Sequence, residues 1–215
     1  MSYPTLLLLP LLVLGADGDH DATVHHAFDD IEAWVARFDD PERDGWQKPA
    51  QLVQALEIKA GSVLADIGAG TGYFAVHLAA ATGPDGLVYA VDVEPAMVEY
   101  LKTRAEKEQL PNIRPVLTPA DEPGLPATGV DLVLICNTWH HIDDRLNYLK
   151  KLGASVRDGG RVVIVDFKEG DLPVGPPADR KLTREAVIAE FKEGGWRLAS
   201  EIDLLPYQYT LEFKR

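Results

Sequence analysis

The sequence predicts an α/β fold, a doubly wound and mostly parallel sheet with helices on both faces. From Ser62 onward, short β-rich runs alternate with helical patterns, the rhythm of parallel strands joined by crossover helices. Turn signals fall where one periodicity gives way to the other. The chain has 215 residues, 46% hydrophobic and 26% charged, which suits one globular domain with a single core.

The elements follow in order. Leu6 to Leu9, Pro10 and Leu11 to Leu14 form an apolar run, so residues 1–16 read as a signal-like or membrane-associating segment. No Lys or Arg precedes the run, and it is shorter than the roughly 20 apolar residues that a spanning helix needs. The localisation it implies is cytoplasmic or membrane-associated, or export if the run acts as a signal. Residues 17–61 are expected to form a helical cap. Within it Ile31, Trp34, Val35 and Phe38 stand at amphipathic-helix spacing. Pro49 opens a second short helix carrying Leu52, Val53 and Leu56, which ends at the Lys59 to Gly61 turn.

The expected strands are Val63 to Ile67, Leu87 to Val91, Ile113 to Leu117, Val130 to Asn137 and Arg161 to Phe167. Helices between and after them are marked by Phe74 with Leu78, by Met97 with Leu101 and Ala105, by Leu149 with Leu152 and Val156, and by Val187 with Phe191. Pro84-Asp85-Gly86, Asp158-Gly159-Gly160 and Gly194-Gly195 are each expected to stop a helix where a left-handed residue is cheap. The tail, Leu198 to Leu204 and Tyr209 to Phe213 about Leu205-Pro206-Tyr207, reads as a hairpin.

Charge and cysteine content exclude several functions. Lys and Arg number 21 against 34 Asp and Glu, a net −13, so duplex nucleic acid and polyanionic substrates are poor partners. The single cysteine, Cys136, rules out an intramolecular disulfide and a multi-cysteine zinc site.

The most informative stretch runs from Val63 through Asp66-Ile67-Gly68-Ala69-Gly70-Thr71-Gly72 to Tyr73-Phe74, a strand that enters a glycine loop and then a helix. Such a loop lets the backbone approach a ligand, and the helix start offers free N–H groups. A dinucleotide fingerprint would need glycine at position 73, where tyrosine stands, and no Gly-Lys-Ser/Thr of a P-loop follows. Asp92 ends the next strand about 20 residues on, where a carboxylate can accept both hydroxyls of a ribose.

These residues resemble the class I S-adenosylmethionine-dependent methyltransferases from about Ser62 to Phe213. Asp66-x-Gly68-x-Gly70-x-Gly72 resembles the family's first motif and Asp92 with Glu94-Pro95-x-Met97 its second. Asp121, four residues before Leu125-Pro126, is similar to its adenine-side acidic loop. Asp131-Leu132-Val133-Leu134 with Asn137, and Asp158-Gly159-Gly160-Arg161-Val162, resemble the fourth strand and the turn into the fifth. The resemblance implies a Rossmann-like seven-stranded sheet ending in an antiparallel hairpin, over residues 62–215. It implies S-adenosylmethionine as cofactor, held by Asp66, Gly68, Gly70, Gly72, Asp92, Asp121 and Asn137. Gly68, Gly70 and Gly72 would pass under its methionine part, Asp92 would hold the ribose, and Asp121 the adenine amino group.

Methyl transfer from a sulfonium is an in-line displacement, so it needs alignment and exclusion of water and requires no metal. A base helps only where the acceptor carries a proton. Asn137-Thr138-Trp139-His140-His141 stands at the carboxyl end of the fourth strand, so Asn137, His140 and His141 are the candidate catalytic residues, with His140 preferred as base. A metal cluster of His140, His141, Asp143 and Asp144 is the weaker alternative, with Asp166 at the end of the fifth strand as its possible acid. The stretch lacks the Asn/Asp-Pro-Pro-aromatic motif of enzymes that methylate base or glutamine nitrogens. Trp34, Phe38, Trp46, Tyr207 and Tyr209 are candidates for an aromatic acceptor chamber beside the Lys168 to Lys181 loop. The expected function is transfer to an oxygen, sulfur or carbon of a small-molecule acceptor. A protein or RNA methyltransferase and a non-catalytic S-adenosylmethionine-binding module remain alternatives, and oligomeric state is not legible.

Overall fold

The computed structural model describes residues 31–127 and 129–215. The apolar run at 1–16 and the start of the cap lie outside the described residues. The strands are β1 (Val63–Ile67), β2 (Leu87–Asp92), β3 (Ile113–Leu117), β4 (Val130–Cys136), β5 (Val156–Phe167), β6 (Arg197–Glu201) and β7 (Gln208–Lys214). They form one seven-stranded sheet in the order β3-β2-β1-β4-β5-β7-β6. The first five pair in parallel, and β7 is antiparallel to both β5 and β6. The expected hairpin thus closes one edge.

Side-chain alternation along the strands makes two cores. Leu64, Leu132, Leu134, Val163 and Val165 face helices α3 (Pro49–Ala55), α4 (Ala75–Thr82) and α5 (Pro95–Lys107). Ala65, Ile67, Val133, Ile135 and Ile164 face α6 (Arg145–Ser155) and α7 (Arg184–Glu193). Covering both faces explains why these strands read as continuous apolar runs rather than as alternating ones. Leu52, Val53 and Leu56 join the first core, so the end of the cap region is built into the body.

The structure differs from the sequence reading in several places, among them the end of α3 at Ala55 rather than at the Lys59 to Gly61 turn and the end of β6 at Glu201 rather than Leu204. Between α1 (Ile31–Phe38) and α3 lies an unexpected helix, α2 (Glu42–Gln47), set off from α3 by Lys48 in the left-handed region, φ 45°. Helix α6 ends at Ser155 rather than running to Asp158, because the β-branched Val156 is extended and pairs with Val130. Regular pairing of β5 with β4 resumes only at Arg161, after a register shift, with Gly159 at φ 78° between. After α4 the left-handed residue is Gly83, not one of Pro84-Asp85-Gly86. Strand β4 stops at Cys136 because Asn137 turns to φ 56°.

No helix among the described residues is long and apolar enough to cross a membrane. The second core centres on Phe191, whose ring stacks on Phe213 at 3.9 Å and lies 5.2 Å from Trp139. Phe191 is fully buried, so Phe191→Ala should lower unfolding free energy by about 3–5 kcal/mol. Urea denaturation monitored by circular dichroism should show the midpoint falling with the slope unchanged.

Candidate functional site

Polar side chains gather where the parallel strands end. Asp66 is the penultimate residue of β1, and Asp92 the last of β2. The loop leaving β1 turns through Gly68, Gly70 and Gly72, all at positive φ (72°, 55° and 87°), which a Cβ would strain. Crowding adds to this, since a Cβ on Gly72 would come within 2.6 Å of Leu101 Cδ2 and one on Gly68 would run into the Thr138 side chain. Thus the glycine loop abuts the start of the segment that follows β4.

Asp92 Oδ2 accepts from the Gly70 N–H at 2.7 Å and Oδ1 from the Glu94 N–H at 3.0 Å, so the carboxylate ties the glycine loop to the end of β2. Burial raises its pKa, opposed by those backbone donors. Asp66 is more isolated. Its Oδ2 is buried with no hydrogen-bond partner among the described residues. Burial, with the Asp92 charge adding to it, pushes the Asp66 carboxyl up to about 7, against lesser opposing effects of Arg43 and the Ala75 N–H. A buried acceptor without a donor is costly, and beneath a glycine loop it suits a ligand that brings its own cation or N–H.

The cap closes on this loop. Asp39 Oδ1 accepts from Thr71 Oγ1 at 2.8 Å, and Arg104 of α5 donates both to Asp39 (3.1 Å) and to the Thr71 carbonyl (2.9 Å). The Phe38 ring covers Gly70. Arg43 lies over the Tyr73 ring at 3.9 Å, while the Tyr73 hydroxyl donates to Asp44 at 2.6 Å.

The other side of the edge carries an imidazole and a carboxylate. His140, in the short turn Trp139–His141 after β4, holds its Nδ1 2.9 Å from Oδ2 and 3.0 Å from Oδ1 of Asp166 on β5. Their side chains are 6% and 1% exposed. The Phe167 N–H also donates to Asp166 Oδ1, at 2.8 Å. With Asp166 accepting from Nδ1–H, the lone pair of His140 falls on Nε2, the arrangement of a general base. His141 is exposed and its ring lies 4.1 Å from that of His140.

Asn137, the first residue after β4, donates its N–H to the Val165 carbonyl of β5 at 2.9 Å and accepts through Oδ1 from the Gln208 amide. Gln208 in turn accepts from Gln47 Nε2 at 3.0 Å, and the same Nε2 donates to Cys136 Sγ at 3.1 Å. Burial pushes the Cys136 thiol well above its ordinary range, so it stays neutral. Trp46, Phe167 and Tyr207 form an aromatic wall, with ring centroids 6.0 and 6.3 Å from Trp46. Of the other expected chamber residues, Trp34 and Phe38 pair at 5.3 Å in the cap, and Tyr209 is buried, donating to the Leu182 carbonyl.

The structure therefore brings together Asp66, Gly68, Gly70, Gly72 and Asp92, and sets Asn137 and His140 just beyond the end of β4, the strand paired with β1. The Asp121 carboxylate, in the loop that starts where the Thr118 N–H donates to the Asp92 carbonyl at 3.1 Å, is 73% exposed and pairs with Lys151 of α6 at 3.1 Å. Asp144, weighed as a metal ligand, accepts from the Asn147 N–H and caps α6. Sequence reasoning missed Asp166 as the partner of His140, and missed Gln47 and Gln208 altogether. A carboxylate next to the end of the apolar run Val162 to Phe167 was the available signal for Asp166; the two glutamines left none.

Comparison with known proteins gives a consistent result. A family model described as a methyltransferase domain matches residues 64–160. The chain is 30% identical over 149 residues to the aklanonic acid methyltransferase of Streptomyces sp. (strain C5), covering 68% of this chain and 67% of that one. It is 32% identical over 137 residues to the 27-O-demethylrifamycin SV methyltransferase of Amycolatopsis mediterranei, spanning 63% of this chain and 49% of that relative. Among solved structures, a SAM-dependent methyltransferase from Aquifex aeolicus superposes with a TM-score of 0.80 at 24% identity, over 86% of this chain and 97% of that one.

The raised Asp66 pKa makes stability depend on pH. The folded protein holds a proton on Asp66 up to about 7, whereas the unfolded chain releases it near 3.8. Stability from that proton is complete below pH 3.8 and is lost as pH rises through 7. Asp66→Asn should therefore gain stability over the parent as pH rises from 4 to 7 and hold a constant advantage above, on the order of 4 kcal/mol at about 1.4 kcal/mol per pKa unit. Denaturation of ligand-free protein at pH 5 and pH 8 checks this; an offset independent of pH would refute it.

Proposed function

The chain belongs to the class I S-adenosylmethionine-dependent methyltransferases, and we propose that it methylates an oxygen, sulfur or carbon of a small-molecule acceptor with His140 as general base. The pairing of His140 Nδ1 with Asp166, at the same strand edge as the glycine loop, is the observation that carries this reading. The relatives support it by their names, which specify aklanonic acid and 27-O-demethylrifamycin SV, the second placing the methyl on an oxygen. The net charge of −13 favours a small acceptor over RNA.

The residues present fit the cofactor. Gly68, Gly70 and Gly72 offer a backbone cradle, and the orphaned Asp66 Oδ2 beneath it suits an amino acid's ammonium group. Asp92, at the end of β2, is the ribose ligand in this reading. When bound, S-adenosylmethionine supplies a methyl on a sulfonium, whose departure leaves a neutral sulfide. The protein's task is then to align the acceptor, exclude water and remove a proton.

His140 Nε2 takes the proton of an acceptor O–H, S–H or acidified C–H. Asp166 keeps the imidazole in the Nδ1–H tautomer and stabilises its cationic form once it is protonated. Because the Cys136 thiol is held neutral by burial, it packs as a small apolar group and takes no part as nucleophile. Trp46 and Tyr207, both half-buried and backed by the buried Phe167, offer ring faces against which an apolar acceptor can lie.

His140→Ala should lower kcat about 10²–10⁴-fold with cofactor affinity unchanged, Asp166→Asn should act in the same direction, and His141→Ala should cost far less. S-adenosylhomocysteine release measured against a panel of phenols, thiols and enolisable ketones checks this. A His140→Ala enzyme turning over at the parent rate would remove the base from the mechanism.

A further inference from the structure

The amide chain across the site has a direction, and a single residue sets it. Arg43 donates through Nε to Gln47 Oε1. A guanidinium has donors and no acceptor, so the Gln47 oxygen must face Arg43 and its NH2 must face away. That NH2 donates to Cys136 Sγ and to Gln208 Oε1. The Gln208 oxygen is thereby committed, so the Gln208 NH2 donates to Asn137 Oδ1. At the end of the chain Asn137 turns its oxygen to Gln208, so the NH2 side of the amide, with its two Nδ2–H donors, is what it presents on the other side. Gln47 and Gln208 are 0% and 1% exposed, so neither can exchange these partners for water. Asn137 itself is half-buried, follows the last residue of β4, and is held at φ 56° by this anchored geometry.

We propose that Arg43, Gln47 and Gln208 are positioning residues that fix the Asn137 amide with its N–H donors toward the acceptor, so that the acceptor presents a carbonyl or ionised oxygen there. This rests on the reading of the site as that of a methyltransferase and narrows its substrate class to phenols, enols and their conjugate anions. An acceptor that can offer only N–H donors at that place, such as an ammonium, meets a donor and is rejected. Beside His140, such a donor holds the oxygen on which charge collects as the acceptor loses its proton.

Gln208→Glu tests the direction while keeping size and shape. An ionised carboxylate only accepts, so Asn137 must turn its NH2 to Glu and its oxygen to the acceptor; a protonated carboxyl donates and restores the original sense. The readout is calorimetric affinity for an ortho-hydroxyaryl ketone in protein saturated with S-adenosylhomocysteine. The parent should bind it. Gln208→Glu should bind it about tenfold or more weakly at pH 8.5, and the ratio of variant to parent affinity should recover toward one as pH falls. The titratable and charged groups around this position are Arg43, Asp66, His140, Asp166 and the Cys136 thiol, all shared with the parent, so the ratio isolates the new carboxyl. Equal affinities, a deficit unchanged across pH, or a parent that does not bind the ketone would each overturn the proposal. Should Gln208→Glu not fold, Asn137→Asp must bind the ketone more weakly than Asn137→Ala, and the reverse order overturns it. Failure to bind S-adenosylhomocysteine in the first step would instead sink the methyltransferase reading, and this proposal with it.

Discussion

A parallel sheet covered by helices on both faces has no room for polar side chains along its strands, and this constraint decides where chemistry can occur. Each buried position within β1 and β4, and within β5 from Val162 on, is filled with Val, Leu, Ile or Ala until the strand is about to end. There the helices no longer cover the sheet, and Asp66, Asp92, Asn137 and Asp166 appear at or next to the last positions of β1, β2, β4 and β5. Because the strands are parallel, these ends lie on one edge of the molecule. The site is a consequence of topology before it is a consequence of any one residue.

The edge carries an energetic cost. An ionised, buried Asp66 with an oxygen lacking a donor opposes folding, and the positive-φ glycines forgo the entropy saving of ordinary residues. The molecule sustains this because two apolar cores flank the sheet, and because the cap ties the loop down through Asp39, Thr71 and Arg104. Departures from local rules are therefore concentrated where a ligand can relieve them.

The strands were legible because β-branched runs bounded by glycine and proline have few other fates, and the glycine loop because its spacing serves close backbone approach. Helix α2 was not, since Glu42-Arg43-Asp44-Gly45-Trp46-Gln47 has no apolar periodicity and a glycine in its middle; it is held by contacts of Trp46 and Gln47 with distant strands. Asp121 shows the limit of spacing. Counting residues from Leu125-Pro126 marks a carboxylate but says nothing of its direction, and Lys151 on α6 draws it to the surface. The His140–Asp166 pair joins residues 26 apart, and Gln47 and Gln208 are separated by 161. Contacts of that kind are written in the folding of the sheet, where β5 lies between β4 and β7.

Cap and sheet are consequently one site rather than a platform with a cover. The segment 39–47 touches the glycine loop at Thr71 and Tyr73 and reaches Cys136 and Gln208 through Gln47. Whatever steadies the glycine loop also steadies α2, and α2 in turn sets the amide order that ends at Asn137.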